Sequence, residues 1–198
     1  MPTESIAPAV ARPAESKAAG DTLLPIARAA ISTALGRPRH AAEHAPWLQE
    51  PGACFVTLTQ QGRLRGCIGS LEARRSLLAD VKSNAVAAAL HDTRFAPLTL
   101  PELALTQLEV SVLSPLEAMH VDSEAHALAQ MRPGVDGLVF EYRHHRSTFL
   151  PQVWHQLPDA RQFLAHLKQK AGLPPDFWDA TVRLQRYRVQ QWQEQDTA

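Results

Sequence analysis

Gly62-Arg63-Leu64-Arg65-Gly66-Cys67-Ile68-Gly69-Ser70 stands between an apolar segment and a helical pattern, and its reading organises the chain. Immediately upstream, Ala53-Cys54-Phe55-Val56-Thr57-Leu58-Thr59 is rich in β-branched and aromatic residues, which suit a half-buried pleated surface. Gln61-Gly62 then supplies a tight hairpin turn, because glycine reaches positive φ without steric cost. The chain returns through Leu64 and Ile68 as a second strand carrying Gly66 and Gly69. Glycine inside a strand signals a bulge or a close backbone approach. A two-residue turn places Gln60 opposite Arg63 and Val56 opposite Cys67, with Cys54 diagonal to Cys67 on the same face. Arg65, two residues before Cys67, shares that face as well. An arginine and a thiol on backbone that a ligand can approach have the look of a site. The plainer alternative is a small buried cysteine, with glycines that only let a helix pack.

The rest of the chain narrows the class. At 198 residues it suits one sizeable domain or two small intimate ones. Twenty basic residues balance twenty acidic ones, so no overall charge draws the protein to nucleic acid or to an acidic membrane. Two cysteines make no disulfide framework and fit a reducing compartment. No apolar run approaches the ~20 residues that span a bilayer. Residues 1–20 are Ala-, Pro-, Ser- and Glu-rich without periodicity and read as a disordered tail, not a signal peptide. A cytoplasmic protein is expected.

In chain order, Asp21 or Thr22 caps a helix running to about Leu35, with Pro25 in its first turn and Gly36 and Pro38 after its end. His40 and His44 fall in a polar connection and read as solvated side chains. Ser76 precedes a second helix through Leu90, whose alanines suit close packing on the glycine-bearing strand. A helical turn follows at Pro101-Glu102-Leu103, then a strand in which Leu108, Val110 and Val112 alternate with Glu109 and Ser111. After a connection containing a short helix from Ser123 to Met131, the pattern repeats. Strands at 137–142 and 147–150 flank a turn, a helix runs from Asp159 to Lys170, and a closing strand spans residues 180–189. The expected fold is therefore α+β, with mainly antiparallel sheets built from two hairpin-helix-strand halves and an extra N-terminal helix. Residues 21–193 form the domain, residues 119–136 are the candidate internal boundary, and 194–198 are a tail.

Several of these segments resemble one family. Leu64-Arg65-Gly66-Cys67-Ile68-Gly69 is similar to the signature of the AMMECR domain family, called AmmeMemoRadiSam system protein A in prokaryotes. The likeness continues through Asp92-Thr93-Arg94-Phe95-Ala96-Pro97-Leu98, Leu108-Glu109-Val110-Ser111-Val112-Leu113-Ser114 and Gly134-Val135-Asp136-Gly137-Leu138. It ends with Phe149-Leu150-Pro151-Gln152-Val153-Trp154 and Lys170-Ala171-Gly172-Leu173-Pro174. The resemblance spans about residues 21–193 and implies two related β-α-β-type halves that share strands. It implies no settled activity. Through gene neighbourhood it implies two partners, a Memo-type protein resembling non-haem iron dioxygenases and a radical SAM protein. His144-His145 stands where the family often has a glycine-containing turn, which puts a catalytic role for this pair in doubt.

The candidate chemistry centres on Cys67 as a nucleophile. Arg65, Gly66 and Gly69 form the floor of a pocket for a small anionic or modified substrate, and Arg94 completes an anion-binding pair with Arg65. Arg94 has a competing structural role, pairing Asp92 or bonding helix carbonyls. Glu109 and Glu141, set among apolar strand residues, are carboxylates for acid–base work or partners for Arg65 or Arg94. Gln152 is a hydrogen-bonding candidate whose neighbours Phe149 and Trp154 read as core. No sequence pattern implies a metal or nucleotide site, and the cofactor is left unassigned. A non-catalytic adaptor using the same surface is the alternative. RNA binding falls behind both, because charge is balanced and basic and aromatic residues do not interleave.

Overall fold

The computed structural model describes residues 17–195. The α+β fold holds: five α-helices and ten strands are present among those residues. The described residues divide into two compact units, one comprising those up to Val110 together with those from Trp192 onward, the other Ser111–Gln191. Residues 119–136 lie within the second unit.

The first unit opens with α1 (Lys17–Ala34), followed by a 3-10 turn at Pro46–Gln49. Next come β1 (Pro51–Gly52), β2 (Cys54–Gln60), β3 (Arg63–Gly69), β4 (Arg75–Ser76), α2 (Leu77–Leu90) and the short α3 (Leu100–Leu103). β5 (Gln107–Leu113) then carries the chain into the second unit. The core of the first unit joins Leu23, Ile26, Ala27 and Ile31 of α1, Val81, Ala85 and Ala88 of α2, and Val56, Leu58, Leu108 and Val110 of the sheet. Ser76 caps α2 as expected, its hydroxyl accepting from the Ala79 amide at 3.4 Å.

α1 starts earlier than a cap at Asp21 or Thr22 predicts, so Pro25 lies inside the helix. Propensity alone would end a helix there. Packing overrides it: Ala19 and Leu23 are buried, and Gly20 lies so close to the Trp192 indole that a Cβ would come within 2.5 Å of it. Thr22 is no cap; its hydroxyl donates to the Ala18 carbonyl one turn back. Residues 17–20 of the expected tail are thus helical, and residues 1–16 lie outside the described residues.

The second unit contains β6 (Glu117–Met119), α4 (Glu124–Gln130), β7 (Gly137–Tyr142), β8 (His145–Phe149), a 3-10 turn at Pro151–His155, α5 (Ala160–Lys170) and β9 (Arg183–Tyr187). β10 (Val189–Gln193) returns the chain to the first unit. Two four-stranded sheets result, ordered β10-β5-β2-β3 and β6-β9-β7-β8. Both units thus contain hairpin, helix and strand in that order: β2-β3, α2, β5 and β7-β8, α5, β9. Trp154 stacks on Phe163 with centroids 3.8 Å apart, and Phe149 meets Phe163 edge-on, so these aromatics are core. The short β6 and the terminal β10 escape sequence reading because few residues mark them. Each is specified by a strand already in place.

Candidate functional site

The β2-β3 hairpin is built around a turn in which Gln61 and Gly62 both have positive φ, 50° and 73°, the combination whose twist matches the flanking strands. Gln60 pairs with Arg63 as expected. One step on, the register shifts: Thr59 pairs with Leu64 but Leu58 pairs with Gly66, leaving Arg65 as the extra residue of a bulge. The consequence corrects the expected facing pair. Thr57, not Val56, lies opposite Cys67, because one inserted residue reverses which face every later side chain occupies. Cys54, Val56 and Leu58 face the helix layer and are fully buried, while Thr57 and Cys67 share the other face. The two thiols are therefore on opposite faces, not diagonal neighbours.

Gly66 and Gly69 have packing reasons to be glycine. A Cβ on Gly66 would stand 2.2 Å from the Ala88 carbonyl oxygen, so α2 lies directly against β3 there. A Cβ on Gly69 would meet the Phe55 ring at 2.3 Å. The close approach that the sequence signals is thus made by a helix and an aromatic ring.

Around Cys67 the polar contacts are dense. The Thr57 hydroxyl donates to Cys67 Sγ at 3.4 Å. The Cys67 amide donates to Asp92 Oδ2 at 2.9 Å, and the Cys67 carbonyl accepts from Arg94 Nη2 at 3.1 Å. Arg94 in turn grips Asp92 through Nε (2.9 Å) and Nη2 (2.7 Å), and its own amide reaches Oδ1 at 3.2 Å. β3 is an edge strand. Carboxylate and guanidinium therefore satisfy the donor and acceptor that a further strand would otherwise take. The Arg94 guanidinium holds the Asp92 carboxyl well below the usual carboxylate range, helped by the Cys67 amide and opposed by burial. Arg94 is held more firmly in its charged form, first by its hydrogen bonds to Asp92.

Arg65 is mostly buried and pairs with Glu102 Oε1 through Nη2 at 3.2 Å and Nε at 3.4 Å. The other oxygen of Glu102 closes the capping box of α3, accepting from the Thr99 amide and hydroxyl at 2.8 Å each. Those Thr99 bonds, then Arg65, keep the Glu102 carboxyl below its ordinary value. The Nη1 nitrogen of Arg65 is buried and has no hydrogen-bond partner among the described residues.

The other candidates fall elsewhere. Glu109 is half-buried on β5, alternating with buried Leu108 and Val110. Glu141 partners neither Arg65 nor Arg94: it lies on β7 in a cross-strand ladder, accepting from Arg146 at 2.8 Å with Arg183 at 3.8 Å. Gln152 is exposed and its nearest polar partner is Gln191 Oε1 at 3.5 Å. Of the His144-His145 pair, His144 is exposed and His145 donates from Nδ1 to the Ala171 carbonyl at the end of α5. Among the described residues no three His, Cys, Asp or Glu side chains converge as a metal site would need.

A second polar cluster sits on the other thiol and was not singled out from sequence. Asp80, buried on α2, accepts from the Cys54 amide and Asn84 on Oδ2 (2.9 Å each) and from Ser70 and Arg75 on Oδ1 (2.8 Å each). Asn84 also donates to the Cys54 carbonyl at 3.0 Å. Burial, with Asp80 nearby, pushes the Cys54 thiol far up. The available signal was two polar residues at i and i+4 interrupting the apolar face of α2.

An α+β protein of paired antiparallel sheets, with one braced, half-exposed thiol on an edge strand, is the class that fold and site define. The AMMECR1 family model matches residues 24–192, and the chain belongs to that family. Among its relatives, Protein MJ0810 of Methanocaldococcus jannaschii is 38% identical over 177 residues, covering 85% of this chain and 86% of that one. A protein of Methanothermobacter thermautotrophicus is 39% identical over 180 residues, covering 88% and 94%. The crystal structure of the uncharacterized protein PH0010 from Pyrococcus horikoshii superposes with a TM-score of 0.76 at 33% identity, covering 89% of this chain and 91% of that one. No helix of the described residues is long and apolar enough to cross a membrane.

Proposed function

We propose that this chain is a cytoplasmic protein that binds a small anionic substrate at β3, where Arg65 and Cys67 lie, and that it works beside a Memo-type dioxygenase-like protein and a radical SAM protein. One observation carries the reading: the buried Nη1 of Arg65 has no hydrogen-bond partner among the described residues, although Nε and Nη2 of the same guanidinium hold Glu102. A buried guanidinium N–H left unpaired is costly, so a bound acceptor is its natural complement. Cys67, two residues along, is the candidate nucleophile. Its thiol already accepts from Thr57, and the Arg94 guanidinium donates to its backbone carbonyl. Arg94 itself is committed to Asp92, so it orients the strand and Arg65 receives the substrate charge.

A second reading, a non-catalytic adaptor on the same surface, is favoured by one feature: both arginines already have carboxylate partners, and Leu64 beside them is 45% exposed. A small-molecule binding screen on the wild type and Arg65→Gln, run beside pull-downs with the two partner proteins, tests both. Ligand binding lost in Arg65→Gln supports the substrate reading. Stable assembly with the partners, unchanged in Arg65→Gln and without any small-molecule ligand, overturns it in favour of the adaptor.

A further inference from the structure

Twenty acidic residues match twenty basic ones, and most arginines of the described residues sit on a carboxylate or an aromatic ring. Arg37 and Arg39 do not: neither guanidinium has a hydrogen bond or ion pair among the described residues. Both line one open groove of about 560 Å³ at the end of α1, walled on its far side by Leu100, Leu103 and Ala104. No carboxylate lines that groove. The third arginine in it, Arg28, is neutralised by Glu194.

The backbone carrying the two free cations is fixed. Gly36 ends α1 in the left-handed region with φ 80°, and its amide donates to the Thr33 carbonyl at 3.0 Å. The Arg37 amide donates to the Ser32 carbonyl at 2.9 Å, and the Ser32 hydroxyl donates to the Arg37 carbonyl at 2.6 Å. Pro38 locks its own φ, and the Arg39 amide reaches the Thr33 hydroxyl at 3.4 Å. Two guanidiniums are therefore held two residues apart on tied backbone, so little backbone ordering remains to oppose binding. They also offset the partial negative charge at the end of α1, a role that needs neither a groove nor an apolar wall. Arg39 in addition borders a neighbouring hollow with Asp21 and Glu194, yet bonds to neither.

We infer that this groove binds a small molecule bearing a phosphate group, with the phosphate between Arg37 and Arg39 and an apolar portion on Leu100 and Leu103. The forked guanidinium matches phosphate oxygens in pairs, and the groove has the size of small-ligand sites. The site is separate from Cys67 and stands whether or not the substrate reading there is right.

Titration calorimetry of the full chain with inorganic pyrophosphate at low ionic strength tests it. Pyrophosphate should bind at one site, and Arg37→Gln or Arg39→Gln should each weaken it by about tenfold, as expected for one charge-assisted contact. Arg161→Gln with Arg188→Gln, which removes two positive charges elsewhere, should leave binding unchanged. Thermal unfolding without ligand should show in Arg37→Gln and Arg39→Gln no more than the small loss of one charge at the end of α1, since neither guanidinium is tied to another group among the described residues. No binding, equal weakening by the control pair, or tight binding of a single-stranded RNA that pyrophosphate does not displace would each overturn the assignment.

Discussion

Asp92→Asn is the substitution that most directly tests the brace on β3. The Asp92 side chain is 4% exposed and receives one backbone bond from Cys67 and three bonds from Arg94. Asparagine keeps the shape but carries no charge and replaces one acceptor oxygen with an amide donor: with its oxygen in the Oδ2 place it keeps the Cys67 amide and Arg94 Nη2 but meets Arg94 Nε and the Arg94 amide with an N–H. Breaking a fully buried charge pair costs about 3–5 kcal/mol. The Arg94 side chain is 54% exposed and rehydrates when released, which trims the loss. A destabilisation of ~2–3 kcal/mol follows, readable by urea unfolding near neutral pH. Its pH dependence has a definite sign. The folded carboxyl is depressed, so its contribution is whole above the ordinary unfolded value near pH 4 and is lost as pH falls further through the folded value. The amide of the Asp92→Asn variant does not titrate, so the gap between wild type and variant should be flat from about pH 7 to 5 and narrow below about pH 4. A loss under about 1 kcal/mol, or a gap that stays constant into acid, would refute the brace.

Two further outcomes follow from the same geometry. Iodoacetamide at neutral pH should label Cys67 and spare Cys54 until the chain unfolds, because Cys54 is fully buried and its thiol is pushed up by burial and by Asp80; peptide mass spectrometry reads this, and equal slow labelling of both would remove Cys67 as a nucleophile. Gly66→Ala should cost roughly 2–3 kcal/mol in urea unfolding, since the new methyl meets the Ala88 carbonyl of α2 and not a flexible side chain. The comparison Gly62→Ala, with φ 73° and open space around it, should cost about 1 kcal/mol from backbone strain alone.

What the sequence by itself determined were the features written locally. The Gln61-Gly62 turn, the Ser76 cap, the alternation of Leu108 and Val110, and the hairpin-helix-strand order of both halves rest on periodicity and on glycine and capping chemistry within a few residues. The motif around Cys67 was legible as unusual for the same reason. Its meaning was not. The bulge at Arg65 is a one-residue event that alternation cannot locate, yet it decides that Cys67 shares a face with Thr57 and not with Cys54. Only the packed chain shows that Gly66 makes room for Ala88 and that Gly69 makes room for Phe55. Arg94 takes the structural role that the sequence offered, pairing Asp92 two residues back, while Glu141 joins Arg146 across its own hairpin. The start of α1 ahead of Pro25 depends on Trp192, which lies 172 residues after Gly20 in the chain. Such contacts join segments far apart in sequence, and their energy comes from burial and from pairing polar groups away from water. No local pattern encodes which distant side chain will arrive, so the partners of Cys67 and Arg65 were decided by tertiary structure alone.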